Sequence, residues 1–180
     1  VSFLVCLVLY KDKEEVENTE PVMTESKALN KKIRVASPLN GDIVPLSEVN
    51  DETFASEVMG KGIAINPTEG KVVSPINGTV QMIFKTKHAI GLKSDDGTEL
   101  LIHIGMDTVQ LEGRHFEAYV KDGDKVKVGD TLVKFDIDAI KKAGYEVVTP
   151  IIVTNTPDYL EIVPKDIEAV KVGEEILTIV

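Results

Sequence analysis

Apolar residues along this chain come in short runs, some alternating and some continuous, broken by Gly, Pro, Asn and Asp. That spacing belongs to β-strands joined by tight turns rather than to amphipathic helices. Strands are predicted at 62–66, 80–84, 89–93, 99–104, 131–136, 151–153 and 176–180. The one convincing helical stretch is 138–143, ended by Gly144, and 54–59 is expected to add at most another turn.

The pattern also repeats. Val35-Ala-Ser-Pro-Leu-Asn-Gly-Asp-Ile-Val44 returns as Val72-Val-Ser-Pro-Ile-Asn-Gly-Thr-Val-Gln81. In each copy Ser-Pro closes one strand, Asn-Gly turns the chain, and a new strand follows Gly41 or Gly78. A looser echo pairs Asp124-Lys-Val-Lys-Val-Gly-Asp-Thr-Leu-Val with Ala169-Val-Lys-Val-Gly-Glu-Glu-Ile-Leu-Thr. Two copies are too few for a solenoid, and the expectation is two similar sheets packed face to face. The fold class is all-β: an antiparallel β-sandwich or barrel-sandwich hybrid with an internally duplicated motif and only short helices.

The N-terminal stretch breaks this pattern. Residues 1–10 are almost wholly apolar and residues 11–32 are charged, with Glu14, Glu15, Glu17 and Glu20 followed by Pro21. As a helix, the first ten would extend about 15 Å, half the thickness of a bilayer's hydrocarbon. They read either as the stump of a transmembrane helix or as a strand or helix packed on the domain. Residues 11–32 have too few apolar side chains to offset the entropy of ordering and read as a linker. The folded unit is expected at 33–180.

Composition narrows the chemistry. A formal charge of −10 repels phosphate backbones, which argues against nucleic-acid binding. A single cysteine, Cys6, excludes an internal disulfide framework and a Cys-based zinc site. Aromatics are scarce and tryptophan is absent, so the core must rest on Val, Ile and Leu.

The most informative segment runs from Phe84 to Asp107. Ser94-Asp95-Asp96-Gly97 is a turn between two apolar runs, which should therefore pair antiparallel. The midpoint between His88 and His103 falls in that turn. An even loop places both imidazoles on one face, opposite or diagonal, about 5 Å apart at Cβ; an odd loop sends them to opposite faces. Alternation favours the even loop, with Leu100, Ile102 and Ile104 facing the core. Leu101, His103 and Gly105 would then face outward with His88, Ile90 and Leu92. A same-face pair has two chemical uses. One neutral ring can accept a phosphoryl group while the other donates a hydrogen bond to its oxygens. Alternatively, both rings can ligate zinc, given a third protein ligand. His115, in Leu111-Glu-Gly-Arg-His-Phe, reads as a solvated loop residue.

Leu100-Leu-Ile-His-Ile-Gly-Met-Asp-Thr-Val-Gln-Leu-Glu-Gly113 resembles the active-site motif of the glucose-type enzyme IIA of the bacterial phosphoenolpyruvate-dependent sugar phosphotransferase system. The resemblance extends over nearly all of 33–180. It takes in Ser37-Pro-Leu-Asn-Gly, Gly60-Lys-Gly-Ile-Ala-Ile-Asn-Pro67, Lys71-Val-Val-Ser-Pro-Ile-Asn-Gly-Thr-Val80, Thr86-Lys-His-Ala, Asp124-Lys-Val-Lys-Val-Gly-Asp130 and Thr149-Pro-Ile-Ile-Val-Thr-Asn155.

The resemblance implies that His103 is phosphorylated on Nε2 and that His88 supports the phosphoryl group without receiving it. Thr86 would join the hydrogen-bond network, Gly105 would orient the acceptor ring through its carbonyl, and Asp107 would flank the site. It implies a docking ring of Phe84, Ile90, Leu101, Val109, Val58 and Met59; Ile90 and Leu101 stand where familiar members carry aromatics. No cofactor and no metal are implied. The implied partners are a histidine-containing phosphocarrier protein as donor and a IIB domain, through its cysteine, as acceptor. The implied setting is the IIA part of a β-glucoside- or sucrose-type permease, cytoplasmic and tethered to the inner face of the membrane. Two other functions stay open: a zinc hydrolase on a related duplicated sandwich using His88, His103 and Asp107, and a non-enzymatic swinging carrier or regulatory module.

Overall fold

The computed structural model describes residues 32–180; the readings made for 1–10 and for 11–32 lie outside the described residues, Lys32 apart. Within them the chain forms β1 (Ile33–Ala36), β2 (Gly41–Val44), α1 (Glu52–Ala55), β3 (Lys61–Pro67), β4 (Lys71–Val73), β5 (Gly78–Ile83), β6 (Ala89–Ser94) and β7 (Glu99–His103). It continues with β8 (Phe116–Ala118), β9 (Lys125–Val126), β10 (Thr131–Phe135), α2 (Ile137–Lys142), β11 (Thr149–Val153), β12 (Ile162–Pro164), β13 (Ala169–Val170) and β14 (Glu175–Ile179). An eight-stranded sheet runs β13-β2-β3-β11-β7-β6-β5-β9, beside two three-stranded sheets, β1-β14-β12 and β4-β10-β8. Every pairing is antiparallel. The architecture is the antiparallel sandwich that the turn chemistry and duplication predict.

The duplication is not divided as expected, one copy to each of two facing sheets. Each copy instead gives one strand to a small sheet (β1 or β4) and the next to the large sheet (β2 or β5). The cause is the Ser-Pro-x-Asn-Gly corner. Ser37 Oγ donates to Leu39 O at 2.6 Å and Ser74 Oγ donates to Ile76 O at 2.7 Å, folding the chain sharply from one sheet to the other. Asn40 Oδ1 then accepts from Val172 N, and Asn77 Oδ1 accepts from Val128 N. Each corner is thus tied to its own Val-Gly turn. The order of the large sheet reads symmetrically about the β11–β7 pair, where Ile151 faces Ile102.

One face of the large sheet packs on both small sheets through a core of Val, Ile and Leu that includes Ile63, Ile65, Ile90, Leu92, Leu100, Ile102, Ile104, Ile151 and Val153. On the other face a second cluster forms, where Leu46, Val49 and Phe54 cover Ala64, Met106 and Ile152. The covering segment holds α1, whose N-cap Asp51 accepts from Thr53 N at 2.8 Å. Helix α2 starts one residue earlier than predicted because Asp136 caps it through Ala139 N.

Candidate functional site

The histidine hairpin settles on an odd loop. Lys93 faces Glu99, Ser94 N donates to Thr98 O, and Asp95-Asp96-Gly97 forms the turn, with Gly97 left-handed. By parity, Ile90 faces Ile102 and Leu92 faces Leu100, all four in the core. This corrects two expectations. Ile90 is wholly buried and belongs to the core, so it is not part of an outward docking ring. Leu92 likewise faces inward.

The histidines nevertheless meet, for a reason strand alternation does not contain. His88 precedes β6, in a turn where Lys87 N donates to Phe84 O and Lys87 itself has φ +58°. That left-handed residue twists His88 out of the pleat at the open end of the hairpin, so parity no longer decides where its ring points. The two imidazoles lie 4.9 Å apart, centroid to centroid, nearly perpendicular.

Each ring is held at Nδ1. His103 Nδ1 lies 2.8 Å from Gly105 O; a carbonyl only accepts, so Nδ1 carries the hydrogen and Nε2 bears the lone pair. Gly105 can turn its carbonyl back because its φ is +76°, and a Cβ there would meet Glu146 O at 2.4 Å. The same loop is pinned by Met106 N donating to Glu146 O and Thr108 Oγ1 donating to Ile104 O. His88 Nδ1 lies 2.6 Å from Thr86 Oγ1. If the hydroxyl donates, the hydrogen of the neutral ring sits on Nε2.

Both rings are kept neutral. Burial, and secondarily the neighbouring His103, lowers His88 from its usual value near 6.5 to about 4. Burial also lowers His103, opposed by the hydrogen bond to Gly105 and by the carboxylates of Asp51 and Asp107. Asp107 is exposed and left-handed at φ +56°, opening the turn Thr108–Leu111. An uncharged imidazole with its Nδ1–H engaged is a nucleophile at Nε2.

Around the pair, Phe84 meets His88 edge-on at 5.5 Å and Phe54 meets His103 at 5.0 Å. Phe84 and Val109 are partly exposed, and Leu101 is half-buried against the Phe54 cluster. Val58 and Met59 are exposed on the segment that carries Phe54. His115 is exposed. Phe54 and Asp51 were not singled out from sequence. Their only signal is Asp51-Glu-Thr-Phe54, an N-cap followed by one aromatic, which marks a helical turn but not its neighbours. Among the described residues no group of three or more His, Cys, Asp or Glu side chains is placed to hold a metal ion. The zinc reading therefore lacks its third ligand there.

Comparison with known proteins bears on the same residues. The sequence model described as phosphoenolpyruvate-dependent sugar phosphotransferase system, EIIA 1, matches residues 33–159. The chain belongs to that family. It is 56% identical over 145 residues to a PTS system beta-glucoside-specific EIIBCA component of Bacillus subtilis, covering 81% of this chain but only 24% of that protein. It is 50% identical over 150 residues to a PTS system glucose-specific EIIA component of Staphylococcus aureus, covering 83% of this chain and 90% of the relative. Among solved structures it matches the glucose permease IIA from Mycoplasma capricolum with a TM-score of 0.77 and 38% identity, covering 83% of this chain and 97% of that one. The chain thus spans about a quarter of the EIIBCA relative and nearly all of the EIIA relative. Among the described residues of this family member, no helix is long and apolar enough to cross a membrane.

Proposed function

We propose that this EIIA domain is a phosphoryl carrier. His103 accepts the group on Nε2 from a histidine-containing phosphocarrier protein and passes it to a cysteine of a IIB domain, so that a sugar is phosphorylated as it is taken up. The observation that carries this reading is the pair of perpendicular rings, each held at Nδ1, which leaves both Nε2 atoms for one incoming group.

The chemistry follows from those two hydrogen bonds. As the lone pair of His103 Nε2 forms a bond to phosphorus, the bond from phosphorus to the donor nitrogen breaks and its electron pair stays on the donor ring. The carbonyl of Gly105 holds the hydrogen on Nδ1 throughout, stabilising the positive charge that the attacking ring develops. His88 donates Nε2–H to the phosphoryl oxygens, oriented by Thr86, where charge spreads in a loose transition state. Alignment and electrostatics suffice, because the group arrives on a good leaving group. Phe84, Leu101 and Val109, with Val58 and Met59 on the covering segment, would exclude water while the complex lasts and still let it part. Asp107, with Asp51, would face the cationic side of a donor.

The setting proposed is cytoplasmic, with residues 33–180 as the carrier domain. A preceding linker would tether it to a membrane permease, as in relatives named EIIBCA, and raise the local concentration of its IIB partner. The test supplies phosphoenolpyruvate, enzyme I and the phosphocarrier. The wild-type chain should take up acid-labile, base-stable label, and His103→Gln should take up none. His88→Gln should still be labelled but lose most onward transfer to IIB. Labelling of His103→Gln, or normal transfer by His88→Gln, overturns the respective role.

A further inference from the structure

Both histidines and the carbonyl that orients one of them are tied to the backbone of a single residue, Ile104. Its side chain lies in the core, so what it gives the site is its peptide groups. Its N–H donates to His88 O at 2.6 Å, joining the two histidine segments at the open end of the hairpin. Its carbonyl accepts from Thr108 Oγ1 at 2.5 Å. Thr108 is wholly buried, and a buried carbonyl that loses its donor is costly.

That last bond closes a turn around the residue that holds His103. Between Ile104 and Thr108 the chain passes through two left-handed residues, Gly105 and Asp107. The peptide joining Gly105 to Met106 is engaged at both of its polar ends. Its carbonyl accepts from His103 Nδ1, and its N–H donates to Glu146 O. A Cβ on Gly105 would collide with Glu146 O and with Thr108 Cγ2, so the threonine methyl also stands against this backbone.

The other half of the large sheet separates what the fold needs from what the site needs. By the symmetry of the sheet, Ile104 corresponds to Val153 and His88 to Lys61. There too a threonine closes the carbonyl that ends the strand, since Thr156 Oγ1 donates to Val153 O at 2.6 Å. It does so from three residues on rather than four. Thr154, which stands at the place of Gly105, does not have a positive φ. Closing the carbonyl is thus common to both halves. The longer reach, around a left-handed glycine whose carbonyl turns back onto a ring, belongs to the histidine half alone.

Resting on the function proposed above, we infer that Thr108 is a positioning residue for phosphoryl acceptance: its hydroxyl closes the turn that keeps the Gly105 carbonyl on His103 Nδ1. It touches no reacting atom. Without the hydroxyl the peptide after Ile104 is released, and the Gly105 carbonyl no longer stays on the ring. The neutral imidazole then divides between its two tautomers, one of which carries its hydrogen on Nε2 and has no lone pair there for phosphorus.

The test compares Thr108→Val, which keeps the shape and removes the hydroxyl, with Thr108→Ser, which keeps the hydroxyl. One reading is the ring nitrogen shifts of His103 in the unphosphorylated chain at about pH 8, where the imidazole is neutral. The other is kcat and KM with the phosphorylated histidine-containing carrier protein as donor. Wild type and Thr108→Ser should both carry the hydrogen on Nδ1, with kcat agreeing within about threefold. Thr108→Val should show mixed tautomers, with kcat lower by about tenfold or more and KM within about twofold. Retention of Nδ1–H in Thr108→Val, an unchanged kcat, a loss that falls on KM, or a serine variant as impaired as the valine one overturns the inference. If Thr108→Val fails to fold, Thr108→Ala against Thr108→Ser decides by the same readings, because those two differ only in the hydroxyl. A wild-type chain that takes no label from the carrier overturns the proposed function, while the tautomers, read without any donor, still decide the positioning.

Discussion

The large sheet carries one four-strand unit twice, β13-β2-β3-β11 and β9-β5-β6-β7, and the two differ chiefly in what joins the second strand to the third. Between β2 and β3 the chain runs from Pro45 to Gly60, long enough to form α1 and lay an apolar cluster over the sheet. Between β5 and β6 it turns at once through Phe84–His88. The covered unit therefore buries Ile152 at the position where the bare unit presents His103, half-buried. A duplicated sheet becomes a site where one copy lacks its cover, and the cover of the other copy, through Phe54, forms one wall of that site.

The largest effect expected from breaking this contrast comes from the cover. Phe54 is 6% exposed and packs on both Ile152 and the His103 ring, whereas Phe84 is 39% exposed on the bare side. Phe54→Ala should cost about 3 kcal/mol or more in urea unfolding, from lost burial and the cavity left behind. Phe84→Ala should cost less than about 1 kcal/mol, in keeping with its exposure, while weakening phosphorylation by the donor. Equal losses of stability would mean that the two halves are covered to the same degree.

What could be read from the sequence divides along the same line. Turn chemistry and duplication were legible because they are local: Ser37-Pro and Ser74-Pro bend the chain through hydrogen bonds two residues away, and Asn-Gly turns it. The inward face of β7 was legible too, since Leu100, Ile102 and Ile104 alternate cleanly into the core. Loop parity was not, because Ser94-Asp-Asp-Gly97 is compatible with two or three turn residues. Taking the loop as even puts Ile90 and Leu92 on the wrong face. That the histidines still converge depends on Lys87 adopting a left-handed conformation, which no residue preference at lysine announces. The cover was missed for a different reason: a four-residue helix has almost no periodicity, and its contact with His103 is purely tertiary.

A smaller effect separates the halves by pH. His88 corresponds to Lys61 in the covered unit, and only the bare unit places a buried imidazole, with a half-buried one beside it, at this end of the sheet. In the unfolded chain His88 takes a proton near pH 6.5, while in the folded chain it does so only near pH 4. Between these values the unfolded state binds more protons, so stability should be full above about pH 6.5 and decline as the pH falls toward 4. His88→Gln should flatten the urea midpoint over that window relative to wild type. A wild-type midpoint that rises as pH drops from 6.5 to 4, or a variant as pH-sensitive as wild type, would show that His88 is not held neutral by its burial.

The finest distinction lies in the two carboxylates that act on His103 from opposite elements, Asp51 from the cap of α1 on the covering segment and Asp107 from the turn after β7. Both favour the imidazolium against the burial that lowers its pKa. Asp51→Asn and Asp107→Asn should each move the His103 titration to lower pH, read from its imidazole nitrogen and carbon shifts by NMR. The double variant should move it further than either alone, because both charges act on one ring. If only Asp107→Asn shifts the titration, the cover contributes packing to the site but no charge; if only Asp51→Asn does, the covered half supplies the electrostatics of a ring that the bare half carries.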